Sequence, residues 1–261
     1  MKNPSVSSVL IRILMLLLLT TAVQCKRQKK LADELNPAFT EKIAAFTSGI
    51  ISSESTIRVI LAEDNPKAGD VNAPAPDGLF RFKPEIKGQA VWADKRTLEF
   101  RPEGKLKSGQ EYEVRFNLGD VADVEKPLSV FKFGFSVVKQ EFGLVINEYQ
   151  TLNENDLVWN RIKGSINTSD VIDNEEIKEY FIARQNNRKL RFKWEAGEDR
   201  RSFSFTIDSV ERTETPGKVI IEWDATNKYD HIKGSHETEI PSLADYKVLD
   251  VRVNHQPEQF I

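Results

Sequence analysis

Glu111-Tyr112-Glu113-Val114-Arg115-Phe116-Asn117-Leu118 alternates polar and apolar side chains without a break, and Phe131-Lys132-Phe133-Gly134-Phe135-Ser136-Val137 repeats the pattern soon after. In an extended chain every second side chain shares a face. Tyr112, Val114, Phe116 and Leu118 therefore line one apolar face, and Phe131, Phe133, Phe135 and Val137 another. These two stretches read as strands, each apolar on one face and polar on the other.

Working back from them, Ile57, Val59 and Leu61 alternate, then Phe80 and Phe82, Ala90 and Trp92, and Leu98 and Phe100. Asn65-Pro66 and Pro74-Ala75-Pro76-Asp77-Gly78 are turn material. From Ile43 to Ile51 two readings are open. Phe39, Ile43 and Phe46 fit a helical face, whereas Phe46-Thr47-Ser48-Gly49-Ile50-Ile51 fits a strand with a glycine bulge, which we prefer. Six or seven short strands punctuated by turns predict an immunoglobulin-like β-sandwich over residues 43–139, with phenylalanines and Trp92 between its sheets.

A second run begins at Phe142. Leu157 to Ile166 carries strand residues, and Asp173-Asn174-Glu175-Glu176-Ile177-Lys178-Glu179-Tyr180 reads as a short helix start. Phe181–Gln185 and Leu190–Trp194 flank Asn186-Asn187 as a hairpin. Phe203, Phe205 and Ile207 alternate, as do Val219, Ile221 and Trp223, while Gly234 and Pro241 punctuate the end. A second sandwich is expected over residues 142–242. All four tryptophans fall in strand-like segments and are expected in the cores. Tyr246 to Val253 then opens a further strand, so residues 243–261 read as the start of an incomplete third domain and the sequence looks unfinished at its C-terminus. The fold class is all-β, with tandem sandwiches.

Composition agrees with a folded chain: 261 residues, 39% hydrophobic, formal net charge -3. With 37 basic and 40 acidic residues there is no basic excess to neutralise phosphates, which argues against nucleic acid as a partner. The one cysteine, Cys25, excludes an internal disulfide framework and a cysteine-based zinc site.

The position of Cys25 is informative. Lys2 and Arg12 precede an uncharged, mostly apolar run from Ile13 to Val23, the form of an export signal over residues 1–24 and too short to span a bilayer. Ala22-Val23-Gln24-Cys25 resembles the lipobox of bacterial lipoproteins, although Ala22 and Gln24 stand where that motif usually has Leu and a small residue. The resemblance implies acylation of Cys25 with palmitate-type chains. An ordinary secretory signal with an incidental cysteine, or an uncleaved anchor, is the alternative. Lys26-Arg27-Gln28-Lys29-Lys30 would press a lipid tether over residues 25–42 against anionic headgroups. The expected location is the bacterial cell envelope, anchored to a membrane and facing the periplasm or the cell surface.

No pattern for catalysis emerges. His231 and His236 lie five apart beside Asp230 and Glu237, and His255 stands alone, which is short of a ligand set, so a surface turn is the better reading. Asp170, Asp173, Asn174 and Glu175 lack the spacing of a calcium loop and read as a solvated polar turn. Asn167-Thr168-Ser169 matches a glycosylation sequon of little meaning in a bacterial context. Nucleophile-elbow, Walker and dinucleotide motifs are absent. No cofactor and no enzyme activity are expected.

Four segments carry a family resemblance: Leu79-Phe80-Arg81-Phe82-Lys83-Pro84, Gln89-Ala90-Val91-Trp92-Ala93-Asp94, Thr97-Leu98-Glu99-Phe100-Arg101-Pro102 and Leu106-Lys107-Ser108-Gly109-Gln110-Glu111-Tyr112. Their cadence resembles the first macroglobulin domain of bacterial alpha-2-macroglobulins. Ile162–Asp170, Leu190–Trp194, Val219–Asp224 and Glu239-Ile240-Pro241 look like the next domain, and Tyr246–Val253 like the opening of the third. In that family, cleavage of a bait region collapses the chain around a protease, and a Cys-x-Glu-Gln thioester captures it. Here Pro257-Glu258-Gln259 lacks the thioester cysteine. The resemblance implies an anchoring and structural amino-terminal segment of a protease inhibitor, with further macroglobulin domains as partners and proteases met only through a full-length protein. A self-sufficient immunoglobulin-like binding or adhesion lipoprotein is the alternative.

Overall fold

A computed structural model describes residues 37–153 and 155–245. The export signal, Cys25, the basic run after it, His255 and the strand expected from Tyr246 lie outside the described residues. The chain divides into two compact units. Of the described residues, the first takes those up to Gly49, then Thr56–Gly104 and Glu111–Ser136. The second takes Ile50–Ser55, Lys105–Gln110 and the described residues from Val137. No helix of the described residues is long and apolar enough to cross a membrane.

Eight strands, β1 (Ile43–Phe46), β2 (Gly49–Ile51), β3 (Ile57–Leu61), β4 (Phe80–Lys83), β5 (Gly88–Trp92), β6 (Thr97–Pro102), β7 (Glu111–Phe116) and β8 (Phe131–Val137), make the first sandwich, which belongs to the first unit except for Ile50 and Ile51 of β2 and Val137 of β8. They form two sheets in the orders β1-β3-β6-β5 and β2-β8-β7-β4. Lettered A, A′, B to G along the chain, these are the ABED and A′GFC sheets of an immunoglobulin-like sandwich. The alternation that marks β7 and β8 becomes burial, with Tyr112, Val114 and Phe116 inside from one strand and Phe131, Phe133 and Phe135 from the next. Rings close the gap between the sheets. Phe82 of β4 meets Phe100 of β6 at 4.5 Å, and Phe46 of β1 meets Phe131 of β8 at 5.0 Å.

Phe46 to Ile51 is not one bulged strand. β1 ends at Phe46, and β2 starts at Gly49 in the opposite sheet. Gly49 sits at φ +73°, a conformation that L side chains resist, which lets the chain change sheets there. β6 also departs from simple alternation, because Glu99 is buried beside Leu98 and Phe100. Its two oxygens take Arg58 Nε at 2.5 Å and Arg101 Nε at 2.6 Å. Burial pushes the Glu99 carboxyl up, and the two arginines outweigh it and hold it below the ordinary range.

The second unit holds β9 (Phe142–Asn153), β10 (Asp156–Thr168), the helix α1 (Asn174–Tyr180), β11 (Phe181–Gln185), β12 (Arg188–Leu190), β13 (Phe192–Ala196), β14 (Ser202–Glu211), β15 (Gly217–Asp224) and β16 (Lys233–Ile240). The sheets run β13-β14-β10-β9 and β12-β11-β15-β16. By letter these are ABED and C′CFG, again an immunoglobulin-like sandwich. Its core includes Ile162, Ile166, Phe181, Phe203, Phe205, Ile207, Val219 and Ile221. Helix α1 buries Ile177 and Tyr180, three apart on one face, and keeps Glu175 and Glu176 in its first turn.

Three readings of this half need correction. The hairpin around Asn186-Asn187 forms, with Gln185 opposite Arg188, but its second arm is split. Leu190 ends β12 in one sheet, while Phe192 and Trp194 belong to β13 in the other, so their rings pack on Phe205. Gly234 is not punctuation but part of β16, and His236 lies on that strand rather than in a turn. The polar sequence of β16 hides it, and its glycine leaves room for the Trp223 ring, which a Cβ would meet at 2.5 Å. The tryptophans also divide. Trp92 is 3% exposed, Trp194 and Trp223 are half-buried, and Trp159 is 38% exposed.

Candidate functional site

Asp170 is the residue that the sequence placed least well. It is 4% exposed rather than solvated. Ser52 Oγ donates to its Oδ1 at 2.6 Å, the Ser53 amide to its Oδ2 at 2.7 Å and its neighbour Val171 N to Oδ1 at 2.9 Å. The Gln140 side chain holds its backbone at both ends, accepting from Asp170 N at 2.9 Å and donating to Asp170 O at 3.1 Å. Burial raises the carboxyl pKa, and the bonds from Ser52, Ser53 and Val171 more than reverse it, so Asp170 lies below the ordinary carboxylate range.

Beside it, still within the second unit, lies a four-member ion network. Arg200 forks onto Glu54 with two bonds of 2.9 Å and reaches Asp173 at 2.7 Å. Lys105 joins Asp173 at 2.9 Å and Glu54 at 3.2 Å. Asp173 precedes α1 without capping it through its side chain, since its carboxylate is turned to the two cations. The Arg200 bond on Glu54 and the Lys105 bond on Asp173 hold both acids below their ordinary values.

A cleft of about 350 Å³ adjoins this network, lined by Ser53, Lys105, Gln140, Asp170, Lys228, Tyr229 and His231 among others. Its chemistry is self-satisfied. Lys228 holds Glu176 at 2.7 Å, Lys139 holds Glu141 at 3.3 Å, and His231 Nε2 lies 3.0 Å from the Gln140 carbonyl oxygen. Burial pushes the Tyr229 hydroxyl up to about 12, which makes it a poor acid. His231 and His236 are not brought together with a third ligand. Among the described residues, no three His, Cys, Asp or Glu side chains converge as a metal centre would require.

The second feature is a β-ribbon. β9 and β10 pair as far as Asp156 opposite Asn153, whereas the pairing of β10 with β14 runs only to Trp159 opposite Glu211. Leu152, Leu157 and Trp159 are exposed at that end, with the Arg188 guanidinium 5.6 Å from the Trp159 ring centre. Three large apolar side chains left in water close together in sequence are the informative kind of exposure. The sequence signal was present in Leu157 and Trp159, but alternation alone does not tell which face finds a core.

No protein-family model and no curated protein matches the chain. Among solved structures, the titin immunoglobulin tandem A164-A165 is similar at TM-score 0.24 and 10% identity, over 77% of this chain and 94% of that one. The ectodomain of mouse nectin-like molecule 4 gives 0.30 and 11%, over 75% and 67%. L,D-transpeptidase 3 from Mycobacterium tuberculosis gives 0.28 and 8%, over 67% and 77%. The fold assignment rests on the strand orders described above.

Proposed function

We propose that the chain is a non-catalytic anchoring and structural segment, the amino-terminal part of an envelope-tethered alpha-2-macroglobulin-like protease inhibitor. The observation that carries this reading is the match between motif and core. Trp92, Leu98, Phe100 and Tyr112 are fixed letters of the macroglobulin cadence, and all are buried. A second sandwich follows in tandem, as that architecture demands. The lipobox-like segment ending at Cys25 supplies the tether, with Lys26, Arg27, Lys29 and Lys30 reinforcing it at an anionic surface. The protein partners on this reading are further macroglobulin domains.

Two measurements test it. Cys25→Ser should release the chain from the membrane fraction and abolish incorporation of labelled palmitate; unchanged partitioning removes the anchoring half of the proposal. Incubated with several proteases, the chain should leave their activity on large substrates intact, because covalent capture needs a thioester and the one cysteine serves the anchor. Stoichiometric loss of activity, or a covalent adduct on a denaturing gel, removes the other half. A self-sufficient binding lipoprotein is the second reading, for which the exposed Leu152, Leu157 and Trp159 would be the surface to test.

A further inference from the structure

An edge strand presents a row of unsatisfied backbone donors and acceptors, and proteins blunt such edges with bulges, proline, short length or charge. Among the described residues the two long edges are β9 and β16. β9 is blunted by a register shift: Lys163 faces Glu148 and Gly164 faces Ile146, which leaves Asn147 as an extra residue. β16 has no such defect. It pairs with β15 at eight successive positions, from Gly217 opposite Ile240 to Asp224 opposite Lys233, and contains no proline. In the first unit the equivalent last strand, β8, carries β2 on its far side. No strand of the described residues takes that place on β16.

The charges on β16 say what fits. Its exposed side chains are Lys233, Ser235, Glu237 and Glu239, basic at one end and acidic at the other. Laid antiparallel against itself, such a strand is complementary. We propose that β16 pairs with β16 of a second copy about a two-fold axis at His236, which joins two four-stranded sheets into one of eight. In that register Lys233 faces Glu239, Gly234 faces Thr238 and Ser235 faces Glu237, each twice by symmetry, and no like charges meet. Lys218 already holds Glu237 at 2.9 Å from β15, so that acid does not oppose the approach. Lys233, held by Asp224 at 2.8 Å, would be shared with Glu239 of the second copy. The inference goes beyond the anchoring role and stands without it.

Sedimentation of the full-length chain over a range of concentrations reads the association directly, and a dimer is expected. Glu239→Lys and Lys233→Glu should each weaken it about tenfold, since two symmetric contacts turn repulsive, and the double variant should recover it. In a Cys25→Ser background, His236→Cys should give a disulfide-linked dimer without reductant, because residues facing across an antiparallel pair lie within disulfide reach. Glu222→Cys, on the interior strand β15, should not. A chain monomeric throughout, a dimer indifferent to the charge reversals, or equal cross-linking at Glu222 and His236 overturns the proposal.

Discussion

The Ser53 amide donates to Asp170 Oδ2 across 2.7 Å, although 117 residues separate the two in sequence. With the Ser52 hydroxyl on the other oxygen, the carboxylate fastens the segment Ile50–Ser55 into the second unit. An amide in place of the carboxylate offers one acceptor and sets its NH₂ against a donor. Asp170→Asn should therefore destabilise the unit by about 1–3 kcal/mol, the range for breaking a buried bond to a charged group. Urea unfolding at neutral pH measures this, and an unchanged midpoint would remove Asp170 from its structural role.

The same geometry fixes a sign for pH. Asp170, Glu54 and Asp173 all have folded pKa values below their ordinary ones. Their contribution is present above the unfolded carboxylate values of about 4 and is lost as pH falls through the lower folded ones. Lys105 runs the other way. Burial lowers its pKa, the bonds to Asp173 and Glu54 outweigh that, and its contribution persists until alkaline pH exceeds its raised value. Stability should hold from neutral down to about pH 5 and then fall. In Asp170→Asn the acid-limb loss should be smaller, which parallel melts across pH will register.

How much of this was legible in sequence depended on what each residue had to satisfy. Phe131, Phe133 and Phe135 announce their strand because burial of apolar area is local and periodic. The fold class followed from such stretches. Asp170 gives no such sign, for its partners Ser52, Ser53 and Gln140 are remote in sequence and are set by the fold. β16 was missed for the opposite reason. An edge strand with one face at the rim of the core needs few apolar residues, so Lys-Gly-Ser-His-Glu-Thr-Glu passes for a turn.

Gly164 tests the packing of β10. A Cβ there would stand 2.4 Å from the Phe205 ring and 2.6 Å from the Val145 carbonyl oxygen. A ring can give way, but the backbone of the paired strand β9 cannot without loss of ladder bonds. Gly164→Ala should cost about 1–3 kcal/mol through overpacking, against the usual gain from a stiffer chain. A melting temperature equal to or above that of the parent chain would count against this register.

The tryptophans offer the sharpest comparison, because the sequence treats Trp92 and Trp159 alike. Trp92 is 3% exposed on β5, and truncation to Ala should cost about 3–5 kcal/mol, a large part of a domain's stability. Trp159 is 38% exposed near the ribbon's end, with the Arg188 guanidinium 5.6 Å from its ring centre. Removing that contact should cost no more than about 1 kcal/mol. Its emission should also lie to the red of the buried Trp92 and be quenched readily by iodide, and Trp159→Phe should reduce the quenchable fraction. Equal losses of stability from Trp92→Ala and Trp159→Ala would mean that the ribbon end is covered, and the exposed apolar group would then lose its standing as a binding surface.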